Sequence, residues 1–171
     1  MAHLVVVDVE ADGPIPYKYS MVSFGAVLVD KAGKFNKTFY GETAPISEFY
    51  IPDALAVSGF TRQQHENFDN PADVMVKFHE WVKGIGNCIF ISDNLAFDWQ
   101  WINWYFHNFV GTNPFGFSGQ RIGDKFQGFF NDPYYKWKKH RKTKHTHNPV
   151  DDAKGNAEAL HYLYSQGYKL F

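Results

Sequence analysis

Two carboxylates, Asp8 and Glu10, stand at the end of the first hydrophobic run of the chain, residues 4–7. That run is unbroken and rich in valine, which predicts a buried strand. Because side chains alternate along a strand, Asp8 and Glu10 would share a face, about 7 Å apart at ~3.3 Å per residue. Such a pair can simply be solvated, or it can be compensated by a divalent cation. The pair alone leaves both readings open.

A third acid, Asp98, is the only charged residue in the apolar segment 95–106. Residues 92–94 (Ser-Asp-Asn) offer caps, so this segment is predicted to form a helix that is buried or lies at an interface. A carboxylate about one turn inside so apolar a helix requires a partner. It could be a satisfied core hydrogen-bonder, but a cation shared with the strand carboxylates explains it better.

A fourth acid, Asp152, lies near the start of the last predicted helix, residues 149–165. Asn148 is the candidate N-cap, Pro149 suits the first helical position, and Asp151 favours the positive end of the helix dipole. Asp151 therefore has a sufficient structural explanation. Asp152 does not, and it points to the next face of the helix, together with the preceding His147.

The composition is that of one globular domain, residues 1–171. The chain is 44% apolar and 20% charged, with one cysteine, so no intrachain disulfide can form. The apolar run before Asp8 is too short for a signal peptide, and no run approaches the ~20 residues that span a bilayer. We therefore expect a cytoplasmic protein that has no membrane partner.

Charge is unevenly distributed, because one segment, residues 134–147, is strongly basic. Its six cations leave −7 for the rest of a chain whose net charge is −1. Cations interleaved with aromatic residues suit a phosphate backbone and stacked bases, but most charge runs are solvated loops. Neither reading is excluded. The cations are Lys136, Lys138, Lys139, Arg141, Lys142 and Lys144.

The order of predicted elements favours an α/β fold. Strands at 4–10, 21–29 and 35–40 predict a three-strand antiparallel meander. After a short helix around 54–57 come a helix at 70–86, a buried strand at 88–91, the helix from 95, a short strand at 120–123 and the last helix. One mixed sheet flanked by helices accommodates this order, with functional sites expected at strand ends and helix starts.

Three short motifs in this order resemble the DEDDh 3′–5′ exonucleases of the ribonuclease H-like fold. They are Asp8-Val-Glu10, Asn94-x-x-Phe97-Asp98, and His147 followed five residues later by Asp152. The match covers nearly the whole chain. Residues 52–61 also look like a segment of ribonuclease T, oligoribonuclease and the bacterial proofreading subunit. The basic segment 134–147 is not part of the shared pattern.

The resemblance implies an enzyme that hydrolyses phosphodiester bonds from the 3′ end of single-stranded DNA or RNA. It assigns Asp8, Glu10, Asp98 and Asp152 as ligands of two divalent cations, Mg²⁺ or Mn²⁺, and His147 as the general base. By the same analogy, the terminal nucleotide would contact the backbone near Ala11, Asp12 and Gly13 and the side chains of Asn94 and Phe97, with an aromatic ring stacked on a base. Analogy with dimeric relatives and the apolar helix suggest a homodimer.

The basic segment supplies a separate prediction. We expect Lys138, Lys139 and Arg141 to contact the substrate backbone and to make binding depend on salt.

Three alternatives stand beside this prediction. A non-catalytic nucleic-acid-binding module on the same fold would bind without turnover, although none of the five motif residues is substituted. An endonuclease of the wider superfamily would cut circular strands, and the histidine motif argues against it. Finally, His140, His145 and His147 could hold Zn²⁺ or Ni²⁺ in a histidine-rich loop.

Overall fold

The computed structural model describes residues 2–170, and its centre is a five-stranded mixed sheet in the order β3-β2-β1-β4-β5. The first three strands pair antiparallel, whereas β4 and β5 continue the sheet parallel to β1. The predicted meander and mixed sheet are therefore confirmed. The strands are β1 (His3–Ala11), β2 (Met21–Leu28), β3 (Thr38–Glu42), β4 (Cys88–Ser92) and β5 (Gly119–Arg121).

Six α-helices and one 3-10 turn connect and cover these strands within residues 2–170. The predicted N-caps Asn70 and Asn148 are confirmed, because Asn70 accepts from Ala72 N and Asn148 accepts from Val150 N, whereas Asn94 occupies the N-cap position of its helix without a side-chain hydrogen bond. The helices are α1 (Pro52–Val57), α2 (Arg62–His65), α3 (Pro71–Ile85), α4 (Leu95–Phe109), α5 (Ile122–Phe130) and α6 (Pro149–Ser165), with the 3-10 turn at Trp137–His140.

Alternation along β1 divides the interior into two layers. Val5, Val7 and Val9 face a core built with α3 and α4, and Leu4 and Val6 face a second core built with α5 and α6. Asp8 and Glu10 continue the row of Leu4 and Val6, so the strand aims both carboxylates toward the side that α6 covers.

Helix α4 is apolar because it fills the first core. The side chains of Trp101, Ile102, Tyr105 and Phe106 are all fully buried within the chain. The Tyr105 hydroxyl also accepts a hydrogen bond from the backbone N–H of Met21 at 2.8 Å. The composition of this helix therefore needs no second copy of the chain to explain it, and the homodimer stays a prediction.

The third strand begins three residues later than its alternation predicts. A strand from residue 35 would place Phe35 and Phe39 on one face. Instead Phe35 packs in the core beside α6 and Phe39 in the core beside α3. The chain therefore changes layers before Thr38, and alternation alone could not reveal that the two phenylalanines belong to different cores.

The basic segment 134–147 is packed against the protein through its aromatic residues. Trp137 is buried, the Tyr135 ring stacks on Phe130 at 4.3 Å, and the His140 ring stacks on Tyr162 at 3.7 Å between centroids. Its lysines remain exposed.

None of the helices within residues 2–170 has the length and apolar character needed to cross a membrane.

Candidate active site

The end of β1 and the start of α6 meet because β2 carries a glycine opposite Asp8. Gly25 pairs with Asp8, and a Cβ at Gly25 would lie 2.4 Å from the backbone of Pro149 and Val150. Only a residue without a side chain allows the helix to come this close. The motifs did not identify Gly25, because a glycine in a strand has several explanations and only the tertiary contact selects one.

This approach brings three predicted ligands together. Ligand oxygens of Asp8, Glu10 and Asp152 all lie within 4.8 Å of one another. Asp152 is fully buried at the start of α6, while Asp8 and Glu10 come from the strand end. Oxygen-only donor sets of this kind are what Mg²⁺ and Mn²⁺ prefer.

Asp98 reaches the same region from α4. Its Oδ1 accepts the backbone N–H of Val9 at 3.2 Å, which fixes the first turn of α4 against the strand between Asp8 and Glu10. The side chain is only 3% exposed. Asp98 does not belong to the tight three-residue group, but its charge acts on Asp8, and the charge of Glu10 acts on Asp98.

The carboxylates carry more negative charge than their surroundings compensate. Burial raises the pKa of Glu10 to about 7 and that of Asp98 to about 8. Burial, followed by the charges of Asp98, Asp152 and Glu10, raises the pKa of Asp8 well above its usual range. Cations bound here would remove the cause of these shifts, since they would replace the lost solvation.

Asp152 differs from the other acids because donors surround it. Oδ1 accepts from Arg141 Nη2 at 2.7 Å and from the backbone N–H of Thr146 at 3.2 Å. Oδ2 accepts from the backbone N–H of His147 at 3.0 Å and faces His145 Nδ1 at 2.8 Å. The loop before α6 thus folds around this single carboxylate.

His147 stands at the mouth of the site in a constrained backbone. Its φ is +60°, in the left-handed region that non-glycine residues seldom adopt. Its Nδ1 lies 3.5 Å from Glu10 Oε1, and the side chain is 48% exposed. The imidazole is therefore placed beside the carboxylates with one edge open to a ligand or to water.

A second set of metal-binding atoms overlaps the first. Side-chain nitrogens of His145 and His147 and an oxygen of Asp152 lie within 4.8 Å of one another. His140, which the histidine-rich alternative included, instead stacks on Tyr162 and contacts the Tyr135 hydroxyl at 2.9 Å. Because Asp152 belongs to both sets, the histidines extend the carboxylate site rather than form a separate one.

An apolar pocket of about 370 Å³ opens next to Glu10. Ala11, Gly13 and Phe97, which the resemblance assigned to the nucleotide, line it. Sequence reasoning missed the rest of its wall. Those residues are Pro14, Ile51, Ala54 and Val57, from the loop after β1 and from α1. The exposed apolar residues Ile51 and Val57 at the two ends of α1 were the available signal.

The side chain of Asp12 has a structural role, which leaves the predicted backbone contact of this loop untested. It is fully buried, and it accepts from Ser20 N at 2.6 Å and from Arg62 Nη1 at 3.1 Å. Burial raises the pKa of Asp12 to about 6, against the opposing effects of Ser20 and Arg62. This cluster holds the loop from Ala11 to Ser20 in place.

Asn94 is exposed at the start of α4 and does not line the pocket.

The three basic residues predicted to bind substrate separate into two kinds. Lys138 and Lys139 are exposed, with Lys138 Nζ 2.6 Å from Asp93 Oδ2 and Lys139 Nζ 4.6 Å from the Tyr135 ring centroid. Arg141 is only 9% exposed in its side chain and is committed to Asp152. Lys138 and Lys139 can therefore contact a ligand at the surface, whereas most of the Arg141 side chain is inaccessible to one.

Comparison with known proteins identifies a family and a similar relative. A model of the family described as "3′-5′ exoribonuclease Rv2179c-like domain" matches residues 3–164. An Escherichia coli protein named "3′-5′ DNA exonuclease Cap18" is 36% identical over 162 residues, covering 92% of this chain and 83% of that protein.

Solved structures show the same fold at low identity. E. coli exonuclease I in complex with single-stranded DNA superimposes with a TM-score of 0.76 at 17% identity, over 100% of this chain and 42% of that one. A 3′-exonuclease described in recognition of a histone mRNA stem-loop gives 0.77 at 17% identity, over 96% and 82% of the two chains. This chain thus spans less than half of exonuclease I.

Fold, site and relatives together define a 3′–5′ exonuclease built on a ribonuclease H-like sheet. Within that class, the chain belongs to the family described as the 3′-5′ exoribonuclease Rv2179c-like domain. The matched residues, 3–164, include all three sequence motifs. The family resemblance and the enzymatic function predicted from those motifs are confirmed.

Proposed function

We propose that this exonuclease holds two divalent cations on Asp8, Glu10, Asp98 and Asp152 and removes nucleotides from the 3′ end of a single strand. The observation that carries the proposal is the convergence of Asp8, Glu10 and Asp152 oxygens within 4.8 Å beside an apolar pocket. Bound Mg²⁺ or Mn²⁺ would stabilise the charges that develop on the attacking and leaving oxygens.

The residues present fit such cations. All four candidate ligands are carboxylates, and burial without sufficient counter-charge raises the pKa of Asp8, Glu10 and Asp98. Each therefore binds a proton more readily than a solvated acid does. A site of this kind favours a compact positive charge of any source, and hard divalent cations match its oxygen donors best.

His147 is placed to take the proton of the attacking water. A proton on Nδ1, which faces Glu10 Oε1 at 3.5 Å, leaves Nε2 as the basic nitrogen. Imidazole is the side chain that most often serves as a general base in proton transfer. The open edge of the side chain, 48% exposed, gives water access to it.

The apolar pocket would receive the terminal nucleotide. Phe97 offers a ring to a base, and α1 supplies Ala54 and Val57 as the opposite wall. Glu10 is the one polar side chain in this wall, and it is also a candidate cation ligand. Selection for RNA requires a polar contact to the 2′-hydroxyl, and these lining side chains supply none beyond Glu10.

We therefore expect DNA and RNA to be shortened at comparable rates. The family description names an exoribonuclease and the E. coli relative a DNA exonuclease, so both sugars occur among similar proteins. Matched single strands of DNA and RNA, labelled at the 5′ end, would be incubated with Mn²⁺ and compared by initial rate. Rates within about tenfold are expected, and a preference above a hundredfold would show that the sugar is recognised by contacts outside the pocket.

The activity test uses neighbouring acids as a matched pair. Asp152→Asn and Asp98→Asn remove one candidate ligand each, and we expect each to lower the initial rate at least a hundredfold. Asp151→Asn changes the adjacent acid of α6, which contacts Thr146 Oγ1 at 3.5 Å, and should retain activity. Laddered products shortened from the 3′ end by the Asp152→Asn protein at the wild-type rate would refute the assignment. Binding without turnover by wild type would favour the non-catalytic module.

A further inference from the structure

The side chain of Arg141 is largely buried against a candidate cation ligand, whereas the lysines of the basic segment are exposed. Its side chain is 9% exposed, and Nη2 donates to Asp152 Oδ1 at 2.7 Å. Its Nε is buried without a hydrogen-bond partner among the described residues. A guanidinium lying this deep beside an acidic site calls for an explanation beyond the general charge of the segment.

Helix α6 makes room for this side chain with a glycine. Gly155 lies one turn after Asp152, on the same side of the helix. A Cβ at Gly155 would fall 2.5 Å from Arg141 Nε and 2.9 Å from Nη2. The same Cβ would lie 2.8 Å from the backbone oxygen of Thr143, so any other residue would displace the guanidinium and the backbone that follows it.

A second acid of the same helix fastens the chain just after Arg141. Glu158 accepts the backbone N–H groups of Lys142 at 2.8 Å and Thr143 at 2.7 Å, and the Thr143 hydroxyl at 2.9 Å. Two features thus position Arg141. Gly155 leaves space for its guanidinium, and Glu158 binds the backbone that follows it. The contact with Asp152 is built into the fold.

We propose that Arg141 is a positioning residue that fixes the Asp152 carboxylate for cation binding. This inference rests on the proposed cation site. Charge-assisted hydrogen bonds to guanidinium are short and directional, and groups that orient a metal ligand commonly contribute 10–100-fold to metal affinity. Arg141 holds Oδ1 from a position that is 9% exposed, whereas the partner of Oδ2 is His145, whose side chain is 55% exposed and can move aside for a cation.

Two effects of Arg141 on cation affinity oppose each other. Its positive charge repels a cation, which would weaken binding. Its loss would remove the one arginine partner of a buried carboxylate and leave the amides of Thr146 and His147 as the main contacts that fix its orientation. Orientation dominates because Asp152 is fully buried and has no solvent to take the place of the guanidinium.

The test measures Mn²⁺ binding directly by calorimetric titration, without nucleic acid. Arg141→Gln should weaken Mn²⁺ affinity at least tenfold, and Arg141→Lys should keep it within about threefold of wild type. Gly155→Ala should also weaken it, although alanine favours helix formation and would otherwise strengthen α6. Lys136→Gln removes the same charge from an exposed position of the basic segment and should leave affinity unchanged.

The sign of the Arg141→Gln effect decides the question. Equal or tighter Mn²⁺ binding would show that repulsion outweighs orientation, and the inference would fall while the cation site stood. A lower melting temperature with unchanged affinity would assign Arg141 a purely structural role. Absence of Mn²⁺ binding by wild type would remove the proposed cation site itself, and the inference with it.

Discussion

Four carboxylates form the site, and their surroundings differ at the level of single residues. Asp152 receives donors on both oxygens, including the Arg141 guanidinium. Asp8, Glu10 and Asp98 lie in the same region with fewer donors, and burial raises the pKa of all three. The uncompensated charge therefore sits on the β1 and α4 side of the site, which is where we expect cations to act most strongly on stability.

This difference predicts an unusual pH dependence of the metal-free protein. A carboxyl whose pKa is raised on folding binds a proton more tightly when folded, so stability falls as pH rises toward that pKa. With the pKa of Glu10 about 7 and of Asp98 about 8, the melting temperature in EDTA should fall between pH 6.5 and 8. Burial lowers the pKa of His65 from 6.5 to about 4, so its opposite contribution develops mainly below pH 6.5 and adds little above about pH 7.

Two controls test the cause of this fall. Mn²⁺ should remove most of it, because bound cations would keep the carboxylates ionised in the folded state. Asp98→Asn should flatten the slope in EDTA, since it removes one of the titrating groups. A melting temperature that rises from pH 6.5 to 8 in EDTA would contradict the raised pKa values.

At the scale of elements, the site depends on the close approach of α6 to the sheet. Gly25→Ala would place a Cβ 2.4 Å from the backbone of Pro149 and Val150. We expect α6 to shift outward, with loss of about 1–3 kcal/mol in the free energy of unfolding and a large loss of activity. Urea unfolding and the 3′-end shortening assay would measure the two effects.

Gly84→Ala is the matched control for that substitution. Gly84 lies in α3, and a Cβ there would meet no atom within 4 Å. Alanine at this helical position should therefore stabilise the protein by about 0.5–1 kcal/mol and leave activity unchanged. If Gly25→Ala behaved like Gly84→Ala, the approach of α6 would not be the feature that assembles the site.

The basic segment 134–147 is the second element with a testable role. Lys138 and Lys139 lie on its exposed face, and Lys138 is paired with Asp93 at 2.6 Å. Replacing both lysines by alanine should weaken binding of a single strand and reduce the slope of log affinity against log salt by up to about 1–2. Lys83→Ala on α3 is the control. An unchanged slope would leave the segment without a part in backbone binding.

The whole molecule is predicted to unfold as one unit, because both cores are built on the same strands. Val5 and Val7 belong to one core, and Leu4 and Val6 belong to the other. Unfolding of either layer would therefore expose one face of the strand on which the other layer packs. Trp101 lies in the first core and Trp137 in the second. In two variants, Trp101 or Trp137 would be the single remaining tryptophan. Fluorescence of each should report the same urea midpoint as circular dichroism of the same variant. Separate midpoints would reveal two cooperative parts.

The sequence alone determined the elements and the reactive residues. An unbroken valine-rich run located β1, helical caps located α3 and α6, and an apolar segment located α4, because these signals depend on neighbours a few residues apart. Short local motifs also identified the reactive residues, which are Asp8, Glu10, Asp98, His147 and Asp152. The structure brings all five to the end of β1 and the first turns of α4 and α6.

Only the tertiary structure decided what these residues touch. Arg141 looked like one more surface cation, and its burial depends on Gly155, fourteen residues away. Gly25 and the α1 wall of the pocket were equally hidden, because a close approach has no signature until both partners are placed. Local periodicity records which face a residue takes. The energetics of a buried charge depend on what the rest of the chain packs around it.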